Sequence, residues 1–466
     1  MIWTDDGSLE LIKNEDSFGI FYDMGLGKTA LLLGLIDHKF FNENVKKVLI
    51  ITPKKVSLST WQNEIKKWDN FNYMMDIVQL IDKGPDERIT KLRDTGEFSI
   101  HIICSALIPW LYGEYEEKIS KSGKKYNVFH PNVERPDYDM IIVDECSQFK
   151  SAKSNRFKAL KGINASKKGA PMKLFLLSGT PFSNIRYVED QYGDYYVSVE
   201  ELYYLFFFLG IYVKSAYEFE KEFMYTTRWD QFKLRTRPDI YKALDEALEL
   251  RSIRRKLQLS IKKNEYKVYC EIDQERMDML EDHYAVLTEN FQTITAANRA
   301  VMINKALQLS NGFIYDEFKN AHRLNTYKID LLKDILSVVD GNVVIYYNFK
   351  EDRELLLSSF DGIKEYTVEN EAEWNKGNIP YLLLSPFSEK YGINIQFGGH
   401  TIIWFGLIWS GESYLQANGR LYRRGQSHDV DIYYLLGKGS YDNFVYDVLV
   451  SKTKAIGSFI DIVKKH

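Results

Sequence analysis

The stretch FGIFYDMGLGKTALLLGLI, Phe18 to Ile36, decides the fold. Its first five residues are apolar or aromatic and read as a buried strand, and the run from Ala30 reads as the buried face of a helix. Between them, Gly25 and Gly27 flank Leu26 and let the backbone bend until its N–H groups face one point. Lys28 and Thr29 follow at once, at the positive N-terminus of the helix. Such a strand, loop and helix cradle phosphate: Gly25, Leu26, Gly27, Lys28 and Thr29 would wrap the phosphates of a nucleotide, with the Thr29 hydroxyl on Mg²⁺. The usual first glycine of the general loop falls at Tyr22, so the flanking strand and helix carry the reading rather than the full pattern.

A phosphate loop needs a carboxylate at the end of a neighbouring strand to hold the metal. YDMIIVDECSQFK supplies it, because four apolar residues run into Asp144 and Glu145. Asp144 is placed for the Mg²⁺ shell, and Glu145 for orienting or deprotonating an attacking water. LFLLSGTPFSN then sets Ser178 and Thr180 at the end of a further strand, where two hydroxyls suit a sensor of the terminal phosphate.

Apolar strands alternate with helical patterns in two stretches. FGIFY, VLIIT, HIICS, MIIVD and LFLLS form the first, and VVIYY, YLLLS, TIIWF and IYYLL the second. Continuous apolar strands separated by helices predict an α/β fold of buried parallel sheets. The expected division is one lobe over residues 1–190, a mostly helical insertion over 191–315, and a second lobe over 316–466. The lysine-rich segment Lys121–Lys125 reads as a hairpin tip. The aromatic run Tyr203–Phe208 reads as core, because contiguous aromatics would cover all sides of a helix.

At 466 residues, the chain should hold two or three domains of roughly 100–200 residues each. A formal charge of −4 gives no whole-protein nucleic-acid signature, so any DNA site must be a local surface. Cys104, Cys146 and Cys270 lack ligand spacing and imply a reducing compartment. The N-terminus has no signal-peptide core, and the greasiest run, Leu202–Val213, is too short to span a bilayer. A soluble, cytoplasmic chain without membrane attachment is expected. His101 and His130 read as structural or exposed.

SYLQANGRLYRRGQ, Ser413–Gln426, gathers cations on a short segment. If it is helical, Gln416, Arg420 and Arg423 share one stripe at i, i+4 and i+7, Arg424 points away, and Gly425 ends the helix.

These elements, in this order, resemble helicase superfamily two, and more finely its SWI/SNF-type branch of DNA translocases. DMGLGKT is similar to that branch's first motif. VLIITPKKVSLSTWQNEIKKW resembles the next, with Pro53, Trp61 and Glu64 in place. VVIYYNFKEDRELL resembles the opening of its second lobe, YGINI stands where the family has Gly-Leu-Asn-Leu, and QANGRLYRRGQ matches its last motif. LRSIRRK and NKALQLSNGF fit its helical region. The compact size looks most like the short bacteriophage members, for which the compartment would be a bacterial host. The departures are specific. No glutamine precedes the phosphate loop to read adenine, Cys146 and Ser147 replace Ala-His, and Glu389, Lys390 and Tyr391 replace a glycine-rich lead-in.

The resemblance implies two RecA-like lobes with ATP and Mg²⁺ in a cleft between them. It gives catalysis to Glu145, Arg420, Arg423 and Gln416, and coupling to Ser178 and Thr180. It places DNA at Thr52, Lys54, Ser105, Asn348, Ser385, Gly392 and Asn394. Two basic segments, Lys150–Lys173 and Arg251–Lys263, could add to that surface or be solvated faces. The implied activity is DNA-stimulated ATP hydrolysis driving a monomer along duplex or branched DNA. The alternatives are a strand-separating or branch-migrating helicase and, in another class, a nucleotide-binding scaffold without turnover.

Overall fold

The computed structural model describes residues 7–462 except 24, 54–55, 76, 81–83, 94–95, 120–124, 166–172, 182–185, 188–194, 197–198, 228–229, 237, 257–258, 288–292 and 388–392. The chain divides into two compact units, chiefly Met1–Leu257 and chiefly Gln258–Glu389 with Ile393–Lys454.

The first unit is built on a seven-stranded sheet among the described residues. Its order is Ser252–Arg255, Ser17–Tyr22, Lys173–Leu177, Met140–Asp144, Lys47–Thr52, Ser99–Cys104 and Ile77–Gln79. Every pairing is parallel. Side chains alternate across a strand, so continuous apolar runs serve two cores. Leu49, Ile51, Ile141, Val143, Leu174 and Leu176 enter one cluster. Val48, Ile50, Met140, Ile142, Phe175 and Leu177 enter the other. The helix Lys28–Glu43 packs into the second cluster through Leu31, Leu32, Leu33, Leu35 and Ile36. It ends where Asn44 turns left-handed at φ 54° and donates its N–H to the Lys39 carbonyl. The aromatic helix Val199–Phe208 buries Tyr203, Tyr204, Phe206 and Phe208 in the first cluster, as expected of core.

The second unit holds a six-stranded sheet, again parallel at every pairing. Its order is Lys263–Cys270, Val430–Gly437, Thr401–Trp404, Val343–Tyr346, Tyr381–Leu384 and Ile363–Glu365. Val343, Ile345, Leu383, Ile403 and Leu435 face a cluster closed by Ile329, Leu332, Ile335 and Leu356.

The stretch 191–315, expected as a helical insertion, is shared between the units. Ser252–Arg255 pairs with the phosphate-loop strand, and Lys263–Cys270 pairs with Val430–Gly437. Both are outermost strands of their sheets, half-exposed and polar, so neither carries the apolar run that announces an interior strand. The Arg251–Lys263 segment, read as a DNA-facing or solvated basic surface, contributes the strand Ser252–Arg255 and the first residue of Lys263–Cys270. Gly113–Ile119 and Lys125–Pro131 form the anticipated hairpin, its tip lying outside the described residues. No helix among the described residues is long and apolar enough to cross a membrane.

Candidate nucleotide site

In the first unit the strand Ser17–Tyr22 delivers the chain to a loop in which Gly25 and Gly27 take φ of 84° and 77°. L side chains rarely adopt this region, which is why glycine stands at both places. Gly27 caps the helix Lys28–Glu43 and no side chain caps it, leaving its first N–H groups open to an anion. Lys28 Nζ donates to the carbonyl oxygens of Tyr22 at 2.6 Å and Asp23 at 3.3 Å.

Two strands away Asp144 ends Met140–Asp144, and Thr52 Oγ1 donates to Asp144 Oδ2 at 3.3 Å. Desolvation, then the Glu145 carboxylate, pushes Asp144 up to about 7, while Lys28 and the Thr52 hydroxyl pull the other way. A buried carboxylate beside a second carboxylate fits a divalent cation; Thr29 and Asp144 offer the hard oxygen ligands Mg²⁺ prefers. Glu145 sits at φ 55° and ψ 59°, a left-handed conformation unusual for a side chain of its size. Ser178 Oγ donates to Glu145 Oε2 at 3.2 Å and accepts the Thr180 N–H at 3.0 Å. The buried Thr180 Oγ1 has no hydrogen-bond partner among the described residues. The loop from Gly25 to Thr29, Asp144, Glu145, Ser178 and Thr180 thus share the strand-end face of one sheet, where open α/β sheets bind ligands.

Thr52, expected at DNA, is fully buried, and its hydroxyl donates to Asp144. Ser105 is also buried, and its hydroxyl donates to Gln148 Oε1. Lys54 and Gly392 lie outside the described residues. In the second unit Asn348 Nδ2 donates to the Leu407 carbonyl at 2.9 Å, Ser385 Oγ accepts the Phe387 N–H at 3.3 Å, and Asn394 is exposed.

The arginine segment departs from the expected stripe. Its helix runs only from Gly411 to Asn418, and Arg420 and Arg423 occupy the turns that follow. The reason is tertiary. Tyr346 Oη donates to the Ala417 carbonyl at 2.8 Å, Trp404 Nε1 donates to Asn418 Oδ1 at 3.0 Å, and Gly419 caps the end at φ −66°. Gly425, expected to end the helix, lies well beyond it in a left-handed turn at φ 98°. Arg420 is buried and donates to the Ile393 carbonyl at 3.3 Å. Burial, then the charge of Arg420, lowers Arg423, whose buried Nε has no partner among the described residues. A buried guanidinium nitrogen at Arg423, beside the Arg420 charge, suits a phosphate. Gln416 Nε2 donates to Glu412 at 3.4 Å, and Arg424 is exposed.

Sequence reasoning missed what positions these groups. Gln426 Nε2 donates to the carbonyls of Gln396 and Gly399, both at 2.9 Å, stitching the arginine turn to the segment after Asn394. Asp352 accepts the N–H groups of Asn348 and Phe349 and the side chain of Asn311. Lys328 joins Asn311 to Asp442. Their partners come from distant segments, so no local pattern marks them.

Comparison with known proteins gives the family. The model of the SNF2-related domain matches residues 9–319. The chain is 25% identical to "Putative protein p41" of Acyrthosiphon pisum secondary endosymbiont phage 1, over 96% of this chain and 95% of that one. It is 21% identical to the human "Chromodomain-helicase-DNA-binding protein 7", over 91% of this chain but 14% of that much longer protein. Among solved structures, the Sulfolobus solfataricus SWI2/SNF2 ATPase core in complex with dsDNA is similar at 17% identity and a TM-score of 0.39, covering 98% of this chain and 93% of that chain. The family model spans Gly25 to Thr29, Asp144, Glu145, Ser178 and Thr180, and the chain belongs to the SNF2-related family of helicase superfamily two.

Proposed function

We propose that the chain is an ATP-driven translocase on duplex DNA. The observation that carries this reading is the cluster at one sheet end: Lys28 beside Asp144, with Glu145 held by Ser178. A scaffold without turnover has no use for a strained glutamate placed to accept a proton. Gly25, Leu26, Gly27, Lys28 and Thr29 bind the phosphates. Mg²⁺, held by Thr29 and Asp144, would neutralise charge on the phosphate oxygens. Glu145 orients the attacking water and takes its proton as the water oxygen bonds to the terminal phosphorus, while the bond from that phosphorus to the bridging oxygen breaks and ADP leaves. Ser178 fixes the carboxylate that does so. Arg420 and Arg423, with Gln416 beside them, are assigned the charge developing on the transferring phosphoryl group, a contribution of roughly 10³–10⁵ in rate.

DNA contact is assigned to Asn348, Ser385 and Asn394, and to the strand-end turn that starts at Ser105. Phosphate contacts position the duplex without reading its sequence. The similarity to a chromodomain-helicase-DNA-binding protein supports DNA as the partner. The test is ATPase rate against single-stranded, duplex, forked and four-way DNA at rising salt. Stimulation by duplex that fades with salt is expected. Displacing a triplex strand while leaving a simple partial duplex intact would identify a translocase; unwinding of the partial duplex would overturn that reading in favour of a strand-separating helicase.

A further inference from the structure

Directly after Glu145 the chain makes a single 3₁₀ turn, Cys146–Phe149, and that turn is tied to two other strand ends. On one side Gln148 Oε1 accepts the hydroxyl of buried Ser105, the first residue of the turn Ser105–Leu107 that leaves the strand Ser99–Cys104. Ala106, next to it, is exposed. On the other side Cys146 Sγ lies 3.8 Å from Tyr204 Oη, and Tyr204 Oη donates to the Pro181 carbonyl at 2.7 Å. Pro181 follows Thr180, whose N–H reaches Ser178, which holds Glu145. Gln148 N–H closes the turn on the Glu145 carbonyl at 3.1 Å.

Tyr204 is fully buried in the aromatic helix Val199–Phe208. Its ring is held by packing, so its hydroxyl is a fixed post between the loop carrying Cys146 and the loop carrying Thr180. The family resemblance puts Ala-His where this chain has Cys146-Ser147, and Tyr204 supplies a buried polar link from this position to the sensor loop. Any shift of the Ser105 turn moves Gln148, and Gln148 belongs to the same one-turn element whose first carbonyl is that of Glu145. Glu145 is already left-handed, where small backbone changes redirect the carboxylate.

We infer that the Cys146–Phe149 turn transmits DNA occupancy at the Ser105 turn to Glu145, with Gln148 and Tyr204 as its positioning residues. This rests on the translocase reading, because it needs DNA to stimulate hydrolysis. Neither residue touches nucleotide; each acts through Glu145.

The experiment compares wild type, Gln148→Leu, Gln148→Glu and Tyr204→Phe. It measures basal ATPase, duplex-stimulated kcat, KM for ATP, and affinity for a fluorescent ATP analogue as evidence of an intact fold. Gln148→Leu and Tyr204→Phe should keep basal rate, ATP KM and analogue affinity, while the stimulated kcat falls roughly 5-fold or more. Gln148→Glu, which still offers an acceptor to Ser105, should restore most of the stimulation. If wild type is stimulated and both substitutions leave stimulation intact, or if they lower basal and stimulated rates alike, the inference is wrong and the translocase reading stands. A wild type that DNA does not stimulate overturns both.

Discussion

Glu145 and His101 show how much one side chain can owe to its surroundings. Glu145→Gln preserves the shape of the side chain and the Ser178 contact but removes the base. It should bind ATP as before and lose turnover by roughly 10²–10⁴-fold, read as phosphate release against binding of a fluorescent analogue. Hydrolysis at the wild-type rate would show that another group takes the proton. His101 is fully buried, its Nδ1 2.9 Å from Tyr138 Oη, and desolvation pushes it down to about 4. The unfolded chain takes up a proton near 6.5 that the folded chain refuses until about 4. Stability attributable to His101 is therefore complete above pH 6.5 and is lost as pH falls towards 4, by at most roughly 3 kcal/mol. His101→Gln should flatten that dependence in urea unfolding between pH 7 and 5, while an unchanged slope would place the titration elsewhere.

Among the elements, the polar links of the second unit bear most on stability. Lys328 and Asp442 are 1% and 2% exposed and pair at 2.8 Å, and the Gly437 N–H also reaches Asp442. Lys328→Met strands a buried carboxylate and should cost about 3–5 kcal/mol; Lys328→Met with Asp442→Leu should recover much of it, as a thermal melt would show. What could be read in advance follows the same division. Interior strands such as Val48–Thr52 and Met140–Asp144 were legible because both faces are buried and the sequence is apolar throughout. The carboxylates were legible because charge at the end of such a run has to be explained. The end of the helix Gly411–Asn418 was not, because tyrosine and tryptophan donors from other strands claim its last groups. The bond from Thr52 to Asp144 was not legible for a similar reason: a threonine at a strand end can face solvent or a neighbouring carboxylate, and only the sheet order says which.

At the scale of the whole molecule, two parallel sheets each carry their own core, and each binds part of the stretch 191–315 that looked like an insertion. The strand Ser252–Arg255 lies far along the chain from the other strands of its sheet, yet it pairs with the strand that leads into the phosphate loop. During synthesis the first unit cannot complete its sheet until that late strand has emerged. Until then the backbone of Ser17–Tyr22 presents an open edge, the kind that recruits other chains. A fragment ending at residue 250, which keeps the aromatic helix but lacks the strand Ser252–Arg255, should therefore aggregate or melt early, whereas one ending at residue 257 should stay monomeric and bind nucleotide. Size-exclusion chromatography and melting of the two fragments would decide it, and equal behaviour would mean that the edge strand is dispensable. Truncation mapping or domain swapping in this chain should accordingly cut after residue 257, since an earlier cut leaves the nucleotide-binding edge unprotected.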